Sequence, residues 1–353
     1  MSSSSVGCCC RVGVPPCSGG SGAETPAGPS GPQLPSPEQI VAWIWREDGG
    51  LVVHAKVVTR AAVLTAVIDA CPHGVATAEQ AERLVEDILA APGHAVRLPD
   101  QGAVHMSHSQ RYTHTTILAA EQAITETATA RLGEGAAQLT PAAADLAMAT
   151  FEAGRGFSLS EEQRAVVTRL LTAGHGLDVV VGVAGAGKTT LMDAARTGWE
   201  AAGLTVRGAA TAAVAAANLS SEAGIDSSTG AGWLRPGGPG LAGVDVLVVD
   251  EGAMVDDRQV AELLRLAEAG GTKVVLIGDP LQLRAIGVGG FAAAHALVDG
   301  PVLAENRRQW DAAERAALEV WCQGGRTSAL AAWVEAGHVH AAADAEQAPT
   351  PRC

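Results

Sequence analysis

Gly182-Val183-Ala184-Gly185-Ala186-Gly187-Lys188-Thr189-Thr190 is the stretch on which the reading of this chain turns. It fits the pattern G-x-x-x-x-G-K-[ST] with no mismatch. Leu177-Asp178-Val179-Val180-Val181 before it reads as a buried strand, and Leu191-Met192-Asp193-Ala194-Ala195-Arg196 after it reads as a helix. Strand, glycine loop and helix in that order are the context a phosphate loop requires. Glycines let backbone N–H groups turn inward onto a polyphosphate. The helix N-terminus adds its partial positive charge at the same place. Gly182, Gly185, Ala186 and Gly187 would line the loop. Lys188 would reach the β- and γ-phosphates, Thr189 would hold Mg²⁺, and Thr190 completes the loop. ATP and Mg²⁺ are therefore the expected ligands.

A second acidic half of the site is expected downstream. Val244-Asp245-Val246-Leu247-Val248-Val249 reads as a core strand that ends in Asp250-Glu251. A carboxylate at the end of a parallel strand next to the phosphate-loop strand can reach Mg²⁺. The glutamate after it can polarise a water for attack on the γ-phosphate. Asp250 is assigned to the metal and Glu251 to the general base. Thr272 to Ile277 is a further core strand, and it runs into Gly278-Asp279-Pro280-Leu281-Gln282-Leu283. Gln282 is the candidate sensor of the γ-phosphate. Pro301-Val302-Leu303 reads as a short strand followed by Glu305-Asn306-Arg307-Arg308-Gln309, and an arginine there could meet the γ-phosphate. Ser160-x-x-Gln163 forms a capping box; Gln163 equally suits contact with an adenine edge, and both roles stay open.

Composition sets the frame. The chain has 353 residues, 47% of them hydrophobic but only 3% aromatic. Cores built from Ala, Val and Leu favour helices packed on a parallel sheet, an α/β fold. The net charge of −14 counts against a protein coated in positive charge, without excluding a local basic groove. The seven cysteines show no pair of separated C-x-x-C motifs, which speaks against structural zinc. Scattered cysteines beside a nucleotide motif suggest a reducing cytoplasm. No apolar run approaches membrane-spanning length, so no membrane partner is expected.

Residues 1–35, rich in Ser, Gly and Pro, read as disordered. Residues 36–139 read as a helical and hairpin module. Ser36-Pro37 opens a first helix, Thr59 to Ala70 a second and Thr77 to Leu89 a third. Val96-Arg97-Leu98 and Ala103-Val104-His105 suit a hairpin around Pro99-Asp100-Gln101-Gly102, and the whole resembles a small winged-helix module. Thr113 to Arg131 reads as a further helix. Tyr112 stands near His105, His108 and His114, but histidines at a hairpin exit are more often packing or surface groups, and catalysis by Tyr112 is not expected. Residues 140–309 form the nucleotide domain. Within it Thr211 to Leu219 reads as a helix and Ser227-Ser228-Thr229 as the start of another. Residues 310–353 form helices and a tail.

Gln163, Gly182 to Thr190, Asp250-Glu251-Gly252-Ala253-Met254, Gly278-Asp279-Pro280-Leu281-Gln282-Leu283 and Glu305-Asn306-Arg307-Arg308-Gln309 stand in one order along the chain. Together they resemble the N-terminal, RecA-like motor domain of superfamily-one DNA helicases of the RecD-like branch, in particular the helicase part of TraA/TrwC-type (MobF) conjugative relaxase-helicases. The resemblance covers Leu159 to Gln309 most strongly. It extends weakly upstream through Arg111-Tyr112-Thr113-His114-Thr115 and Glu121, which is similar to the segment joining relaxase and helicase. It implies ATP-driven movement along single-stranded DNA, with Arg308 as the arginine finger, and other conjugation or relaxosome proteins as partners. Two departures bear on this. Thr211-Ala212-Ala213-Val214 lacks the basic residue many relatives carry in a DNA-contacting loop. The family also implies a second RecA-like domain and a relaxase domain, so this chain is expected to be an internal fragment of a larger protein. The alternative is a catalytically incomplete nucleotide-binding fragment.

Overall fold

The computed structural model describes residues 34–46, 48–53, 55–99, 109–238, 240–280, 289–305, 312–322 and 324–339. The expected disordered stretch as far as residue 33, the 103–105 arm of the hairpin, His105, His108, Gln282, Arg307 and Arg308 lie outside them.

The N-terminal module is built from helices α1 (Pro37–Ile44), α2 (Arg60–Asp69) and α3 (Ala78–Ala90) over a small antiparallel sheet of β1 (Val58–Thr59), β2 (Ala95–Arg97) and β3 (Arg111–His114). Each helix begins where the sequence supplies a cap. Ser36, with Gln39, closes a capping box before Pro37, and Thr59 and Thr77 accept the N–H groups of Ala62 and Gln80. Ile40, Ile44, Val63, Val67, Val85 and Ile88 form its core.

Of the expected hairpin only the first arm lies within the described residues, and there it has a different partner. β2 pairs with β3, in the register Ala95↔His114, Val96↔Thr113 and Arg97↔Tyr112. Thr113 therefore lies in a strand, not in the following helix. Its β-branched side chain suits the pleat, and its hydroxyl donates to the Lys56 carbonyl at 2.7 Å. Helix α4 starts at Thr115, after His114 as its cap, and runs to Ala130. Tyr112 packs against the module's core.

Helices α5 (Pro141–Arg155) and α6 (Glu161–Thr172) lead into a six-stranded, all-parallel sheet. Its elements are β4 (Leu177–Gly182), α7 (Lys188–Ala201), β5 (Val206–Ala210), α8 (Ala213–Ala223), β6 (Ser227–Thr229), α9 (Gly230–Leu234), β7 (Val246–Val249), α10 (Asp257–Gly270), β8 (Lys273–Gly278), α11 (Gly290–Leu297) and β9 (Val302–Leu303). The strand order is β6-β5-β7-β8-β4-β9. Two outer helices, α12 (Ala312–Cys322) and α13 (Arg326–Glu335), pack on each other. The α/β expectation is met by a sheet whose central strands β7 and β8 are buried throughout, as parallel strands covered on both faces must be.

Two local expectations change. Ser227–Thr229 is an edge strand paired with β5, not the start of a helix. Gly208 on β5 makes room for it, since a Cβ there would collide with the Ser227 hydroxyl. The helix begins one residue later, with Thr229 as its cap. The second change matters more for the site. β7 is not the neighbour of the phosphate-loop strand, because β8 lies between them.

One face of the sheet is covered by α5, α6, α7 and α8, with Leu170, Leu191, Met192 and Trp199 at the centre of that core. The other is covered by α10, α11 and α4, since Ile124 and Ala128 of α4 pack with Val179, Leu276 and Phe291. The module is further tied on by the Lys56 Nζ–Asp257 Oδ2 pair at 2.6 Å, with Asp257 also accepting from the Gly290 N–H.

Candidate nucleotide site

The site sits at the carboxyl ends of β4, β7 and β8, where parallel strands release their loops. After Gly182 the chain turns through Gly185 and Gly187, both at φ +81°, a conformation that costs any other residue energy. A Cβ on Gly187 would stand 2.5 Å from Gln163 Nε2, and one on Gly182 would stand 2.8 Å from Lys188 Cγ. The loop is thus a cradle that side chains would fill. Lys188 curls back over it, with Nζ donating to the Gly182 carbonyl at 3.1 Å. Gly187 leaves α7 without a side-chain cap, so the positive end of a 14-residue helix opens onto the loop. Thr189 and Thr190 follow in its first turn, half-buried.

Gln163 does what its spacing predicts and one thing more. Its Oε1 accepts from the Ser160 N–H and its own N–H donates to Ser160 Oγ, both at 3.2 Å. Its Nε2 also donates to the Ala186 carbonyl at 3.4 Å. The capping glutamine is at the same time a buried brace of the phosphate loop.

Asp250 and Glu251 follow β7. Asp250 Oδ1 accepts the Glu251 N–H at 2.9 Å. Burial raises the Asp250 carboxyl above its ordinary range, opposed by that hydrogen bond and by Lys188. Glu251 is the more unusual group. Its backbone is left-handed at φ +52°, and its Oε2 is buried with no hydrogen-bond partner. Strain and an unmatched buried acceptor together mark a functional position. Burial raises its proton affinity, Lys188 lowers it, and the neighbouring Asp250 and Asp279 raise it again. Lys188, Asp250 and Glu251 are therefore brought into one electrostatic group.

Sequence reasoning passed over Asp279. It directly follows β8, the strand inserted between β4 and β7, and its buried Oδ2 accepts the Ala184 N–H of the phosphate loop at 3.2 Å. Gly278 before it lets this strand end press against the turn after Glu251, where a Cβ would lie 2.8 Å from the Ala253 nitrogen. Asp279 thus joins the two halves of the site. The signal was available: a β-strand's last apolar residue followed by Gly-Asp, as at Val249-Asp250.

The residues fit a nucleotide with magnesium. A lysine, a glycine-built cradle and an uncapped helix suit phosphate oxygens, and Glu251 Oε2 has no donor. Among the described residues no cluster of three or more His, Cys, Asp or Glu forms a protein cage for a metal. Mg²⁺ is commonly held by one or two protein oxygens together with substrate phosphates.

Residues 158–344 match the AAA domain family, more than half of the chain. The chain belongs to that family. The domain is RecD-like and similar to TraA proteins. It is 42% identical over 161 residues, 43% of the chain, to a probable conjugal transfer protein TraA of Sinorhizobium fredii, and 41% identical over 190 residues, 52% of the chain, to the conjugal transfer protein TraA of Agrobacterium fabrum. It is 37% identical over 138 residues, 37% of the chain, to the ATP-dependent RecD2 DNA helicase of Deinococcus radiodurans. The matched regions span only 14%, 17% and 19% of those three proteins. No helix among the described residues is long and apolar enough to cross a membrane.

Proposed function

We propose that residues 140–309 form an ATP-hydrolysing motor domain of helicase type, which couples turnover to movement along single-stranded DNA in conjugative transfer. The observation that carries this is the strained Glu251, whose unmatched buried Oε2 belongs to the same group as Lys188 and Asp250. In this reading Gly182, Gly185, Ala186 and Gly187 bind the phosphates through backbone N–H groups, and Gln163 braces them. Lys188 neutralises charge on the β- and γ-phosphates. Thr189 and Asp250 hold Mg²⁺, which supplies further charge neutralisation when bound. Glu251 accepts a proton from the attacking water at its free oxygen; its desolvated carboxylate is a stronger base than an exposed one. Gln282 and Arg308 are assigned to the γ-phosphate from the family resemblance. Residues 36–139 act as a module docked on the motor through α4, and relaxosome proteins are the proposed partners.

The test is Mg²⁺-dependent ATP hydrolysis with and without single-stranded DNA, with Glu251→Gln alongside. Turnover that rises with DNA and is lost in the variant supports the motor. The net charge of −14 favours a second reading, a nucleotide-binding domain without motor activity. ATP binding with no turnover under either condition would select it.

A further inference from the structure

The first turn of α6 contacts the site at two places. Gln163 reaches the phosphate loop, as described. Its neighbour Glu162 points to another element: Oε1 accepts the Ala304 N–H at 2.8 Å and Oε2 accepts the Glu305 N–H at 3.3 Å. Ala304 and Glu305 are the two residues at which the chain leaves β9. Both are exposed, so the Glu162 carboxylate is what holds these two amides. β9 is itself bonded to the phosphate-loop strand, with the Val183 N–H donating to the Leu303 carbonyl at 3.1 Å. Farther along α6, Arg169 Nη2 donates to the Val298 carbonyl at 2.5 Å, just ahead of β9. Helix α6 thus grips the β9 segment at its approach and at its exit.

We propose that Glu162 is a positioning residue: its carboxylate fixes the exit of β9 to the same helical turn that braces the phosphate loop. The end of β9, whose Leu303 carbonyl accepts the Val183 N–H at the start of the phosphate loop, is then held in place relative to that loop. This rests on the nucleotide reading of the site. A bland role also exists, because an acid in the first turn of a helix favours the helix dipole. Glu161 shares that bland role, since it lies in the same turn, but no bond to Ala304 or Glu305 is seen from it. It is the built-in control.

The experiment compares the 353-residue chain with its Glu162→Ala and Glu161→Ala variants. Amide hydrogen exchange at Ala304 and Glu305 is measured first, followed by equilibrium binding of ATP and of ADP. Glu162→Ala is expected to speed exchange at both amides about tenfold, the loss of a charge-assisted hydrogen bond. It is expected to weaken the binding of ATP and of ADP about threefold, because the strand end bonded to the phosphate loop is loosened. Glu161→Ala should do neither. Equal behaviour of the two variants, unchanged exchange in Glu162→Ala, or unchanged affinity for both nucleotides would each overturn the proposal. A parent chain that binds neither nucleotide would instead sink the nucleotide reading, and the exchange measurement would still decide whether Glu162 holds the β9 exit.

Discussion

The two ends of the parallel sheet are built on opposite principles. At the amino end, charge is buried and matched. Lys273, 0% exposed, donates to Asp178 Oδ2 at 2.6 Å and to the His175 carbonyl at 2.7 Å, while Arg169 stands 3.4 Å from the other Asp178 oxygen. At the carboxyl end, polar groups are left unmatched. Gly187 leaves a helix uncapped, Glu251 is strained, and its Oε2 has no partner. A fold can hold such a deficit only where the rest of it is rigid. The amino end supplies stability, and the carboxyl end holds its donors and acceptors ready for a ligand.

Breaking the amino end should have the largest effect on stability. Lys273→Ala leaves the buried Asp178 with only the more distant Arg169, a loss of about 3 kcal/mol. Urea unfolding should show it, while the molecules that remain folded keep their nucleotide affinity. Replacing both members, as Lys273→Met with Asp178→Leu, should recover most of the loss. A Lys273→Ala chain as stable as the parent would mean that the pair contributes little.

Changes at the carboxyl end should give smaller effects on stability and larger ones on ligand. Gly187→Ala forces a side chain into a left-handed backbone and against Gln163, costing about 1–2 kcal/mol from the backbone alone. Nucleotide affinity, read by titration calorimetry, should fall as well. Glu251→Gly should run the other way. It relieves the φ of +52° and removes an unpartnered carboxylate, so thermal stability should rise by about 1 kcal/mol while turnover disappears. Glu251→Ala keeps the backbone strain and should show less of that gain.

The smallest predicted effect lies outside both ends, at His114 of the N-terminal module. Burial, with the neighbouring His94 and Arg258, lowers its proton affinity below the ordinary value of 6.5. Below that pH the unfolded chain takes up a proton that the folded chain refuses. Stability should therefore fall as pH drops from 6.5 through the folded value, and His114→Gln should flatten that part of the profile. An unchanged slope would show that His114 does not contribute to it.

The carboxyl end was the more legible of the two from sequence. A phosphate loop is local: its glycines, lysine and threonine are adjacent, and each residue type has one physical reason to be there. Asp250-Glu251 was found by the same logic, an acid after an apolar run. What sequence could not show was sheet order. Nothing in the apolar runs of β7 and β8 says which lies next to β4, so Asp279, directly after the inserted strand, receives no role from sequence. The Lys273–Asp178 pair was invisible for a related reason, because its partners are far apart in sequence and meet only through that order. In the N-terminal module the pairing of β2 with β3 is not legible, since it joins strands separated by more than ten residues, while a turn-like Pro99-Asp100-Gln101-Gly102 points to a nearer partner. Ser227-Ser228-Thr229 is half legible, because short Ser/Thr runs suit a helix cap and an edge strand alike: here the stretch pairs beside Gly208, and Thr229 also caps the next helix.

The central claim is that the carboxyl end is a nucleotide site built around Lys188. Calorimetric titration of Mg²⁺-ATP into the parent chain and into Lys188→Ala tests it most directly. The account predicts saturable binding by the parent, weakened at least about tenfold in the variant, the ~1.5–3 kcal/mol of a charged hydrogen bond. Thermal stability should be unchanged in the variant. Equal affinity in the two chains would contradict the account.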